Sequence, residues 1–169
     1  MSQQTKLALA AALMLALTGA GAQAQEKDAC DHFKWSVARE RGWFAGEVKP
    51  AAAGATIVVG QAYGVVLEPA DSIVFRLPPE RPLKPGGFGA TLEVANIDRP
   101  GLYQITLSDE AWIDVIQGEA KLKSVGFTGQ KDCPGLRKSV RFNLAAGPLS
   151  VQISDATRDA IGLAIAPAQ

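Results

Sequence analysis

The chain reads as a mainly β protein: a single antiparallel β-sandwich, jelly-roll-like, with one N-terminal α-helix. Three observations carry this expectation. From residue 55 onward, short runs of β-branched and aromatic residues recur, spaced by about 8 to 12 residues. Within these runs apolar and polar residues alternate, the mark of a strand with one wet side. Convincing helical spacing occurs in one stretch, residues 30–46.

Residues 1–24 read as a signal peptide. Lys6 is the only charge before an apolar run of 11 residues, Leu7 to Leu17, and small residues then lead to Ala22-Gln23-Ala24, an A-x-A cleavage pattern. A membrane span needs about 20 apolar residues, so no permanent membrane anchor is expected, and the protein is expected to be periplasmic or secreted. Cleavage leaves 169 − 24 = 145 residues, enough for one ordinary core. Residues 25–50 would form an N-terminal helical segment packed on a β-sandwich domain of residues 51–169. Losing Lys6 leaves 17 − 1 = 16 Lys and Arg against 17 Asp and Glu, a net of −1. No global field recruits nucleic acid or an anionic membrane.

Two cysteines are present, Cys30 and Cys133. In an oxidising compartment an even count reads as a disulfide, and within one chain a single pairing is possible. A closed loop of about 100 residues is worth roughly 4.7 kcal/mol in the chain-entropy model, an upper figure in practice. Two free or catalytic thiols are the alternative, but no C-x-x-C spacing supports redox chemistry.

The helix is expected in "CDHFKWSVARERGWFAG". Asp31 would cap it, Phe33 and Val37 lie four apart, Trp35 and Ala38 widen the stripe, and Gly42 and Gly46 would stop it. "ATIVVGQAYGVVLEP", "SIVFRL" and "ATLEVANI" read as strands, the last with Leu92 and Val94 on one face. Between the last two, residues 78–89 hold four prolines and three glycines and read as a surface loop. "GLYQITLSDEAWIDVIQ", residues 101–117, reads as a β-hairpin turning at Ser108–Glu110, with Tyr103, Ile105 and Leu107 facing the core. On its second strand Ile113 and Val115 offer an inward face without a charge. Trp112, Asp114 and Ile116 would then lie on the accessible face, because an unpaired buried carboxylate is costly. "GPLSVQISDATRDAIGLAI" repeats the pattern 46 residues later, Gly101 to Gly147 and Ser108 to Ser154. That offset fits a faint duplication or two hairpins with the same turn chemistry. "SVRFNL" adds a strand with Val140, Phe142 and Leu144 on one face, and roughly eight strands are expected in all.

"KSVRFNLAAGPLSVQIS" with its final apolar strand, together with "WIDV", resembles the bacterial pre-peptidase C-terminal type of β-sandwich domain across about residues 70 to 166. The chain departs from that family in its N-terminal helical segment, its cysteine pair and the lack of an attached protease. The resemblance implies a non-catalytic accessory fold, sometimes associated with polymer or protein binding.

Few chemistries remain open. His32 is the only histidine, too few for a zinc site or a two-His iron triad, so no metal is expected and His32 reads as an exposed helix residue. No G-x-S-x-G elbow and no Gly-rich phosphate loop occurs, so neither a catalytic nucleophile nor a cofactor is expected. Paired carboxylates could cleave a glycoside, with Asp109, Glu110, Asp114, Asp155 and Asp159 as candidates, although such residues more often decorate turns. Trp112 beside Asp114 suits stacking plus hydrogen bonding. Arg137, Lys138 and Arg141 form the densest cationic stretch, able to hold an anionic sugar, a phosphate or an acidic protein edge. Trp112, Asp114, Arg137, Lys138 and Arg141 are therefore the candidate binding residues. The expected function is an exported, non-enzymatic binding or accessory module of the cell envelope, with a polysaccharide or an envelope protein as partner. A small carboxylate-dependent hydrolase and a structural or inhibitory partner protein are the alternatives.

Overall fold

The computed structural model describes residues 28–169; the expected signal peptide lies outside the described residues. Among these residues it is a sandwich of two sheets with one α-helix. Numbered along the chain, the first sheet runs β1 (Lys49–Ala51), β3 (Ala62–Val66), β12 (Ala160–Pro167), β6 (Gly101–Leu107), β10 (Lys138–Leu144) and β9 (Gly126–Gly129). The second runs β2 (Thr56–Ile57), β5 (Phe88–Ile97), β11 (Gly147–Ala156), β7 (Trp112–Gln117) and β8 (Ala120–Lys121), with β4 (Glu68–Pro69) also on β5. The pairing is antiparallel except for two short parallel pairs, β1 with β3 and β2 with β5. Twelve strands among the described residues exceed the eight expected, because two- and three-residue strands leave no periodic trace in sequence.

Alternation builds the core. Tyr63 and Val65, Tyr103, Ile105 and Leu107, Val140, Phe142 and Leu144, and Ile161, Leu163 and Ile165 point inward from the first sheet. Ala90, Leu92 and Val94, Ile113 and Val115, and Leu149, Val151 and Ile153 meet them from the second. The inward residues expected for 101–117 are thus the observed ones. Burying side chains of this size contributes about 1.5–3 kcal/mol each.

The hairpin itself does not form. β6 pairs with β10 and β12 in the first sheet, and β7 pairs with β8 and β11 in the second. Ser108–Ala111 is an arch carrying the chain from one sheet to the other. The second segment arches back the other way, from β11 to β12, so the two segments pair with each other, β6 on β12 and β7 on β11. Alternation specifies which face is buried but not which strand is the neighbour, and an arch buries the same face as a hairpin. Asp155 sits in the register irregularity of β11 against β5, just before the second arch, with φ 58°, a left-handed conformation aspartate tolerates better than most residues.

The N-terminal helix is also shorter than expected. A 3-10 turn, Ala29–His32, is capped by Asp28 rather than Asp31, and α1 spans only Ala38–Ala45, with Val37 at its N-cap. Between them the chain crosses the outer face of the first sheet without regular structure. Phe33, Trp35 and Val37 turn inward while Lys34 and Ser36 stay exposed, a period of two that also fits the Phe33–Val37 spacing. Sheet side chains hold this strap. Thr128 Oγ1 accepts from Lys34 N at 2.9 Å, and Gln104 Nε2 donates to Ser36 O at 3.2 Å. Ser139 Oγ accepts from Trp35 Nε1 at 3.1 Å, and the Cys30–Cys133 disulfide pins the start. α1 then packs on small outward residues; a Cβ at Gly162 would lie 3.1 Å from Phe44 Cε1 and 3.0 Å from Ser108 Cβ.

The second sheet has its own strap. "SIVFRL", expected as a strand, is irregular and runs with the proline-rich loop across the outer face of β5, β11 and β7. Gln152 Oε1 accepts from Leu77 N at 3.0 Å, and Gln152 Nε2 donates to Leu77 O at 2.9 Å. Arg76 donates to Ser150 Oγ and to Gly118 O, and Asp155 Oδ1 accepts from Lys84 N at 3.0 Å. Prolines at 78, 79, 82 and 85 lack the N–H groups a ladder would need, so outward polar side chains do the pairing instead. That explains why Ser150 and Gln152 are buried.

Candidate functional site

Where the sandwich ends at β8 and β9, its two sheets are not closed by further strands. Core residues Ile113, Val140 and Phe142 surface there as the floor of a groove of about 300 Å³, walled by Leu122, Phe127 and Trp112. Phe127 is 65% exposed, a large apolar ring left open to solvent. A shallower recess around Lys121, Leu122, Lys123 and Ser124 continues from it, sharing Glu80 and Trp112.

The rim is charged. Lys138 projects from β10, its Nζ 2.8 Å from Ala111 O, 3.8 Å from Glu110 Oε1 and 5.6 Å from the Trp112 ring centre. Burial holds its ammonium below the usual lysine value, with Glu110 pulling the other way and the Arg137 and Arg81 charges adding to the depression. Arg137 pairs with Glu110 at 2.5 Å. Arg81, on the proline-rich strap, lies 3.8 Å from the centre of the indole of Trp112, a stacking geometry guanidinium favours. Among the described residues Arg81 makes no ion pair or hydrogen bond. The strap therefore supplies one wall of the groove, and β7, β9 and β10, the arch at Glu110 and the β8–β9 connection at Leu122 and Ser124 supply the rest.

The five candidate binding residues are not one cluster. Trp112 and Lys138 line the groove, and Arg137 stands at its rim through Glu110. Asp114 is not accessible: it is 3% exposed, beneath the strap. Its Oδ1 accepts from Trp112 Nε1 at 3.1 Å and its Oδ2 from Glu80 N at 3.0 Å. The cost of burying a carboxylate, which argued for exposure, is offset by these two donors. Ile116 is likewise buried on that face. Arg141 is not a neighbour of Asp114. It lies on the outer face of the other sheet, 4.3 Å from the Trp35 ring, donating to Gln104 Oε1 and Gln169 O. Lys138 and Arg141 are three apart on one strand, so the pleat sends them to opposite faces.

The acidic candidates each have their own setting. Asp109 accepts from Ser108 Oγ and faces Arg158 at 3.5 Å, Asp155 holds Lys84 N, and Asp159 is exposed. Of that set only Glu110 lines the groove, where Glu80 joins it. His32 is exposed on the 3-10 turn, its carbonyl accepting from Gln130 Nε2. Sequence reasoning missed Arg81, Phe127, Leu122 and the Lys121–Lys123 pair. Their signals, a charged Glu80-Arg81 pair inside a proline-rich loop and a basic-apolar-basic run at 121–123, carry meaning only once both segments meet at the open end.

The structure thus defines a class: a disulfide-clipped β-sandwich, strapped on both outer faces, with a cationic, apolar-floored groove at one end. No family model, curated protein or solved structure matches this chain.

Proposed function

We propose that the chain is an exported, non-catalytic binding module of the cell envelope, and that its ligand brings negative charge to the groove beside Trp112. One observation carries this reading. Five cations, Arg81, Lys121, Lys123, Arg137 and Lys138, gather around the groove and its rim against two carboxylates, Glu80 and Glu110, in a chain whose formal charge is zero. Such a local excess draws anions even when the whole molecule has no net field. The disulfide and the leader-like first residues support export. The concave shape favours a ligand group that enters over a flat protein face, and an accessory role agrees with the resemblance to pre-peptidase C-terminal domains.

The test is a panel of small probes read by the Trp112 indole N–H resonance. At least one of trigalacturonate and octanoate should shift it, the effect should weaken at 0.5 M NaCl, and neutral maltotriose should leave it unmoved. Equal response to maltotriose, or no response to either anion, would overturn the reading. A second reading, a hydrolase, draws on Glu80 and Glu110 lining the same groove. Turnover of trigalacturonate that disappears in Glu110→Gln would favour it.

A further inference from the structure

We infer that the groove selects an amphipathic carboxylate, its acyl chain lying on the apolar floor and its head group held between Lys138 and Arg81. The inference rests on the binding reading above and names the ligand class of the same site. Three features narrow the anion to this chemistry.

The first is the floor. Ile113, Val140 and Phe142 belong to the sandwich core, and the groove continues them outward through Leu122 and Phe127. A hydrocarbon chain seated there completes the core at its unclosed end, removing from water the ring of Phe127 as well as itself, at roughly 0.8 kcal/mol per buried methylene.

The second is the unused donor capacity above that floor. The Lys138 ammonium has three N–H donors; Ala111 O takes one at 2.8 Å, and Glu110 Oε1, at 3.8 Å, is a charge neighbour beyond hydrogen-bond reach. Arg81 has its guanidinium carbon 3.8 Å from the centre of the indole, and among the described residues its donors are unclaimed. A carboxylate between them gains charge-assisted bonds from both. It also compensates Lys138 for the hydration that burial has removed, the first cause of its lowered pKa.

The third is what the groove lacks for a saccharide. Sugars are gripped by a free aromatic face and by many hydroxyl-bonding groups, but one face of Trp112 is taken by Arg81, the exposed Phe127 ring has Lys34 Nζ 5.4 Å from its centre, and Ser124 is the single neutral hydroxyl side chain lining the groove. A cavity near 300 Å³ is at the small end of ligand sites, suited to one chain rather than to several linked rings.

The experiment uses the isotope-labelled protein with three probes: octanoate, octan-1-ol and trigalacturonate. Octanoate should move the resonances of Trp112 and Phe127 together and bind at least tenfold more tightly than octan-1-ol. Arg81→Met and Lys138→Met should each bring octanoate down towards the alcohol. Arg81 sits on an exposed loop, so that variant keeps the test readable if Lys138→Met fails to fold. Octan-1-ol binding as tightly as octanoate would overturn the role of the head group. Trigalacturonate binding without octanoate would overturn this ligand class and leave the binding module standing. Silence from both anions would bring down both proposals.

Discussion

Asp114 shows how one residue ties the groove to the fold. Its two carboxylate oxygens take the Trp112 indole N–H and the Glu80 backbone N–H, so the same side chain orients the indole wall and fastens the strap that carries Arg81. Removing it leaves two half-buried donors with no protein partner, which adds a desolvation cost to the loss of the bonds themselves. Asp114→Ala should therefore lower stability by about 2–3 kcal/mol in urea titrations and broaden the Trp112 and Arg81 resonances. Asp114→Asn keeps one acceptor and should cost about half as much. A change below about 0.5 kcal/mol for the alanine variant would mean that the strap is not held from this point.

At the scale of elements, β10 performs two tasks with one alternation. Val140, Phe142 and Leu144 enter the core, while Ser139 and Arg141 serve the N-terminal strap on the other face. Lys138, at its first position, leans into the groove mouth instead. Its lowered pKa has a consequence for stability with a definite sign. Between the folded value and the ordinary value of 10.5, the unfolded chain binds more protons than the folded one, so stability rises with pH there. The burden of the buried ammonium is full below the folded value and gone above 10.5. Lys138→Met removes that burden at all pH. The stability gap between variant and wild type should thus move in favour of the wild type as pH climbs from neutral towards 10.5; a gap independent of pH would contradict it. Denaturant midpoints at the two ends of that range, taken without ligand, measure this.

Across the whole molecule, two irregular straps cover the polar faces of two sheets, and only the first is clipped by a disulfide. Cys30 and Cys133, separated by 103 residues, join the start of the described chain to the loop between β9 and β10. Cys133→Ser should lower stability by about 2–5 kcal/mol. Because Phe33, Trp35 and Phe44 pack around that bridge, it should also loosen the N-terminal strap, seen as a red-shifted tryptophan emission before global unfolding. Emission that changes only with the global transition would show that hydrogen bonds alone hold the strap.

The mainly β class, the cysteine pairing and the inward faces of 101–107 and 113–115 were legible in the sequence, because each depends on a local pattern or on a single possible partner. Part of the candidate site was legible too: Trp112 and Lys138, which line the groove, announce themselves as a large aromatic and a cation beside turns. Tertiary structure alone decided that 101–117 is an arch rather than a hairpin, since burial period is blind to which strand lies alongside. It decided that Asp114 is buried and paired, because the two donors that make burial affordable arrive from its own neighbour and from a loop more than thirty residues earlier. And it decided that Arg81, Phe127 and Lys138 share one groove while Arg141 is sent to the far face. Alternation along a strand separates neighbours in sequence, and only the closing of one sheet over another brings distant residues to the same end.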